Sequence, residues 1–122
     1  MTSEDDALAF ASAAIASLWA LELLLFLKNR AGRAWSSDEL VRELRSSETA
    51  IAEALGNLRG SGLVSEPSER QWQYRPPSDA VGEVVDILEG VYRTKPASVI
   101  RAIVTAPADK LRLLSDAFRI KE

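Results

Sequence analysis

Two helix-start signals lie eleven positions apart, at Ser36 and Ser47, and they leave little room for what lies between them. The first is Trp35-Ser36-Ser37-Asp38-Glu39-Leu40. Ser36 and Glu39 have the spacing of a capping box, and Trp35 and Leu40 fall where a hydrophobic staple closes. The second signal opens at Ser46 or Ser47, directly after Arg45. The helix between them must be short, with the narrow apolar stripe Leu40, Val41 and Leu44, and the chain must turn sharply into its successor.

That successor places Ile51, Ala54, Leu55 and Leu58 at i, i+3, i+4 and i+7, so these residues face a core. Gly60-Ser61-Gly62 stops it, Gly60 being read as its cap. Leu63-Val64 follows as a short extended run, and Glu66-Pro67-Ser68-Glu69 as a turn. Gln71-Trp72-Gln73-Tyr74-Arg75 alternates aromatic and polar residues, the period of a strand, and completes a small hairpin that Pro76-Pro77 ends. Trp72 and Tyr74 are expected to plug the hairpin onto the core. Upstream, Ser17 to Arg30 reads as a helix that is apolar on most sides, and Gly32 as its stop. The residues before Ser17 form a separate or continuous N-terminal helix. Downstream, a helix from about Ser78 to Arg93 carries the stripe Val81, Val84, Val85, Leu88, Val91 and Tyr92. Pro96 and Pro107 then open further helices, with Val99, Ile100, Ile103 and Val104, and with Leu111, Leu114 and Phe118.

The 122 residues amount to one domain, 1–122: an N-terminal helical extension over 1–16, a core over 17–76 and C-terminal helices over 77–122. No cysteine is present, so no disulfide is expected. The absence of histidine as well removes the commonest general base and the commonest metal ligand. No phosphate-binding loop, nucleophile elbow or zinc spacing occurs, so no enzymatic activity, metal or other cofactor is expected. Ala7 to Leu27 is long enough to span a bilayer. It is nonetheless preceded by Glu4-Asp5-Asp6, is mostly alanine and serine in its first half, and would bury Glu22 in lipid at a cost of several kcal/mol. The expectation is a buried helix or helix pair, no membrane, and a cytoplasmic location. Trp19 and Trp35 are expected in the core or its staple.

The order of elements, with Leu55-x-x-Leu58-x-x-Ser61-Gly62-Leu63-Val64 at the exit of the third helix, resembles the winged helix-turn-helix of MarR-like bacterial transcription regulators. The resemblance covers 17–76. It implies a mainly α fold with a small β-hairpin and additional N- and C-terminal helices. It further implies a homodimer on double-stranded DNA, with the third helix in the major groove and the hairpin on the flanking backbone. Mapped onto this chain, the candidate DNA contacts are Arg45, Ser47, Thr49, Glu53, Asn57, Arg59, Arg70, Gln71 and Arg75. Thr49, Ala50, Glu53, Gly56 and Asn57 are expected on the outward face. The N-terminal segment and tail helices carry more apolar surface than a short chain readily hides, which also points to a two-fold interface.

Charge argues the other way. Residues 36–76 hold five arginines against seven carboxylates, residues 77–90 carry −4, and residues 91–122 carry +4. A DNA reader needs lysine or arginine on phosphates, and here the basic part of the chain is the tail. The second expectation is therefore a protein-binding adaptor without DNA binding. Its docking strip would be Ala52, Gly56 and Gly60, spaced four apart on one helix. The alternative for Gly56 is packing beneath a neighbour in the same chain. Asp79, Glu83 and Asp86 read as a solvated helix face, or as one turned toward the basic tail.

Overall fold

The apolar N-terminal run breaks into two helices because Ser17 restarts the backbone. In the computed structural model, which describes residues 3–104, α1 (Glu4–Ala14) and α2 (Leu18–Lys28) meet at a bend of 116°. Ser3 and Asp6 form a capping box on α1, and the Ser17 hydroxyl accepts from the Ala20 amide at the start of α2. Ile15 is fully buried in the bend. No single described helix is long and apolar enough to cross a membrane. The apolar faces of the pair are spent inside the fold: Ala7, Ala11, Leu21, Leu23, Leu24 and Leu27 are all fully buried.

After α2 the chain runs through β1 (Trp35–Ser36), α3 (Ser37–Glu43), α4 (Glu48–Gly60), β2 (Val64–Ser68), β3 (Gln71–Tyr74) and α5 (Asp79–Thr94). A sixth helix, α6, starts at residue 96 and is followed through 104. The helix expected from Pro107 lies outside the described residues. The fold is thus mainly helical with a small antiparallel sheet, as expected. The sheet differs in one respect: it has three strands, in the order β1-β3-β2. Trp35 pairs with Trp72 and Ser36 with Gln71. Two residues of β1 are too short to show periodicity, so only pairing with β3 defines them.

The α3 start is as its spacing requires. The Ser36 hydroxyl accepts from the Glu39 amide at 3.1 Å, and the Glu39 carboxylate accepts from the Ser36 amide at 2.9 Å. That backbone hydrogen bond, joined by the Arg33 guanidinium, holds the Glu39 carboxyl below the usual carboxylate range. Trp35 lies in β1 with its ring edge-to-face on Phe26, centroids 5.0 Å apart.

Both short-range turns end in the same way, with one difference. At the end of α4, the Gly62 amide donates to Arg59 O and the Leu63 amide to Leu58 O. This is a Schellman cap, and Gly62 takes its left-handed position at φ 77°. The left-handed glycine is therefore Gly62 and not Gly60, which is the last helical residue. At the end of α3, the Arg45 amide donates to Arg42 O and the Ser46 amide to Val41 O, the same pattern. Here the left-handed position, φ 52°, is held by Arg45.

The hairpin turn is tighter than its composition implies. β2 runs on through Glu66-Pro67-Ser68, with an irregularity between Ser65 and Ser68, and Ser68 pairs with Gln71. Only Glu69 and Arg70 remain in the turn. Pro67 is tolerated because β2 is an edge strand. The Glu66 carboxylate closes the turn by accepting from the Arg70 amide at 2.8 Å.

α5 shows the expected stripe, with Val85, Leu88 and Val91 buried. A polar clamp joins it to α2. Lys28 Nζ lies 2.8 Å from Glu89 and 3.1 Å from Asp86, and the Asn29 amide donates to Glu89 at 2.6 Å. Asp86, expected on a solvated face, is thus one anchor of this clamp. Burial alone would raise the Glu89 carboxyl. The hydrogen bonds from Asn29 and Lys28, with the charges of Lys28 and Arg93, outweigh it and hold the group below its ordinary range. Burial alone would lower the Lys28 amine, and its two carboxylate partners outweigh that and raise it. One observation goes against expectation. Trp19 is 43% exposed, and beside it only Val104, at 60%, is an exposed large hydrophobic among the described residues.

Two measurements check this account. Ser36→Ala should lower stability by about 1 kcal/mol through loss of the cap. An unchanged unfolding midpoint would place the origin of α3 elsewhere. Glu89 contributes stability above the ordinary carboxylate range, and this is lost as pH falls through its lowered folded value. Glu89→Gln should therefore be less stable than wild type at neutral pH and should lose less on acidification. Parallel stability-pH curves would contradict the clamp.

Candidate functional site

α4 buries Ile51, Ala54, Leu55 and Leu58, the four residues expected inward. The opposite side is open. Thr49, Glu53, Gly56 and Gly60 are exposed, with Ala52 and Glu48 on the flank toward the hairpin. A Cβ built on Gly56 or Gly60 meets nothing within 4 Å. The small residues Ala52, Gly56 and Gly60 therefore form a bare surface, and Gly56 does not pack beneath a neighbour.

Asn57 departs from the expected outward set. Its side-chain amide donates to Ala14 O at 3.1 Å, and its carbonyl accepts from the Ala16 amide at 3.0 Å. The Ser61 hydroxyl donates to the same Ala14 O at 2.7 Å. The α1–α2 bend leaves backbone groups without helical partners, and α4 supplies them. The Asn57 side chain is thus engaged at a helix joint and not presented with Thr49 and Glu53. Ala50 is half-buried. Sequence periodicity could not separate these cases, because Asn57 lies at the edge of the outward arc and its partners are more than 40 residues away.

A groove of about 370 Å³ runs between the start of α3, the first half of α4 and the hairpin turn. Ser36, Ser37 and Asp38 line one wall, Glu48 and Ala52 another, and Arg70 and Gln71 the third. The fold thus brings Arg70 and Gln71 beside the N-terminal end of α4. Ser47 caps that end, its hydroxyl accepting from the Ala50 amide at 3.1 Å. Arg45 stands two residues before the cap.

The candidate arginines divide into two groups. Arg59 is engaged: it lies 3.2 Å from Glu66 and its guanidinium is 5.9 Å from the Trp72 ring centroid. Arg45, Arg70 and Arg75 are exposed, and their side chains have no partner among the described residues. Arg42, which the candidate set omitted, is in the same state. Its position on the exposed side of α3, one turn before Arg45, is the signal that would have found it. Trp72 and Tyr74 pack against the core, and the Trp72 indole donates to Ser37 Oγ at 3.1 Å. Among the described residues, no three carboxylates come together as a metal site would need.

Arg45 and Arg70 share a further property. At φ 52° and 59° they are the only described residues other than glycine with positive φ. The left-handed region costs an L-residue about 1–2 kcal/mol, and neither side chain can form the local hydrogen bonds by which asparagine or aspartate offsets this. Both occur in turns beside the N-terminal end of α4.

No family model matches the chain, and comparisons with curated proteins and with solved structures return no match.

The Asn57 joint generates a direct test. Asn57→Ala should cost about 0.5–1.5 kcal/mol, the range of an ordinary hydrogen bond, because the Ala16 amide exchanges its partner for water and Ala14 O keeps only Ser61. Wild-type stability in this variant would show that the joint is held by packing alone.

Proposed function

We propose that residues 17–76 form a winged helix-turn-helix and that the protein is a DNA-binding transcription regulator acting as a homodimer. The fold part of this reading is supported by the sharp α3–α4 turn followed by the hairpin. In it, α4 is the reading helix and β2–β3 the wing.

The DNA part is supported above all by Arg45 and Arg70. Glycine is the residue the backbone favours at both positions. Arginine there exchanges conformational ease for a cation at each turn that flanks the α4 N-terminus. Strained positions of this kind gather at functional sites. Phosphates on either side of a groove-bound helix are a fitting target, and Arg42 and Arg75 extend the two flanks. A two-fold dimer doubles these cations, which matters for a motif with a balance of −2 over 36–76.

One observation favours a second reading, a protein-binding adaptor. The outward face of α4 from Thr49 to Gly60 presents no cation or amide except at the flanking Arg59, and over Gly56 and Gly60 it is bare. Such a face suits a closely approaching backbone of either kind.

Separating stability from binding decides between them. Arg45→Gly and Arg70→Gly should leave stability unchanged or raise it by up to about 1 kcal/mol, the relief of left-handed strain less the entropy of glycine. Each should also weaken binding to all duplexes alike and lower the salt slope by about one unit. Sedimentation in the same buffers reports the dimer. If wild type retains no duplex even at low salt, the regulator reading is replaced by the adaptor.

A further inference from the structure

Resting on the DNA reading, we infer that Glu53 is the specificity-determining residue and that it selects a cytosine in each half-site. The outward line of α4 contains Thr49, Glu53, Gly56 and Gly60, all exposed. With Asn57 engaged at the α1–α2 joint, Thr49 and Glu53 alone on this line carry a polar side chain. Glu53 occupies its middle, and its carboxylate has no hydrogen-bond or ion-pair partner among the described residues. One turn further on, Gly56 places no Cβ between the helix and an approaching surface.

A carboxylate only accepts hydrogen bonds. In the major groove the donors are the amino groups of cytosine and adenine. Adenine's amino group sits beside its N7, an acceptor that faces a carboxylate unfavourably, whereas cytosine adds no acceptor of its own on that side. Guanine offers O6 and N7, and thymine O4, and all of these repel Glu53. The carboxylate also repels phosphates, so a duplex that cannot supply a cytosine amino group at this place pays an uncompensated penalty. Arg42, Arg45, Arg70 and Arg75 supply attraction without sequence information. Glu53 then supplies discrimination mainly by rejecting the wrong base.

The test is selection from a randomised duplex library by wild type, Glu53→Ala and Glu53→Gln, followed by anisotropy on the four duplexes that differ at the selected position. Wild type should prefer cytosine there by about five- to a hundredfold, the range of one good base contact. Glu53→Ala should bind the three duplexes without cytosine more tightly than wild type does, and all four almost equally. Glu53→Gln should change the preferred base to adenine, because a glutamine amide pairs with adenine N6 and N7. A merely structural role would not switch the base. Glu53 is exposed, so matched unfolding midpoints should show that the variants fold. A wild type that binds DNA with no cytosine preference, or variants that keep its preference, would overturn this inference and leave the regulator reading standing. Absence of duplex binding by all three proteins at low salt would overturn both.

Discussion

The rest of the structure depends on the burial of α2. Leu21, Leu23, Leu24 and Leu27 are all fully buried, and they do not share one narrow stripe. A helix apolar over most of its circumference must be covered from several directions at once. α4 packs on one side, β3 on another, and α5 is clamped on through Lys28 and Glu89. The sheet and α4 are therefore placed by a common neighbour. Their relative position, which creates the groove, follows from the demand of α2 for cover.

Polar side chains then act at the joints between these covers. Each joint pairs a helix terminus with a side chain remote in sequence. Asn57 and Ser61 satisfy the backbone at the α1–α2 bend. Asn29 and Lys28, at the end of α2, meet Glu89. Tyr92 donates to Glu22 at 2.7 Å, and Lys95 lies 3.1 Å from Glu4. Gln73 donates to Ala31 O at 2.7 Å, tying β3 to the loop after α2. Backbone groups at helix ends have no partner within their own helix, and Asn57, Ser61 and Gln73 supply partners to such groups, while the other joints pair side chain with side chain.

The same economy limits the candidate site. Of the polar residues that could face a partner, Asn57, Arg59 and Gln73 are engaged within the chain. What remains is sparse: two strained arginines, flanking Arg42 and Arg75, Gln71 in the groove, and the line of Thr49 and Glu53. In the proposed DNA reading, an acidic motif with few free cations implies modest general affinity and discrimination by a small number of groups. In the adaptor alternative, the bare flank of Ala52, Gly56 and Gly60 becomes the surface, and the arginines its rim.

Local signals determined the helices by themselves. Ser36 with Glu39, Ser47 before the stripe of Ile51, Leu55 and Leu58, and the apolar face of α5 are each decided within a few residues, because capping and helical periodicity are short-range. The hairpin was legible for the same reason, through the alternation of Gln71 to Tyr74. Three matters were decided only by tertiary structure. β1 exists because Trp35 finds Trp72. Asn57 leaves the outward face because a helix bend more than 40 residues away needs its amide. Arg45 and Arg70 are set apart from the other arginines by their left-handed backbone, which composition does not display. In each case the cause lies in groups that meet only after the chain has folded around α2, and a window of adjacent residues does not contain them.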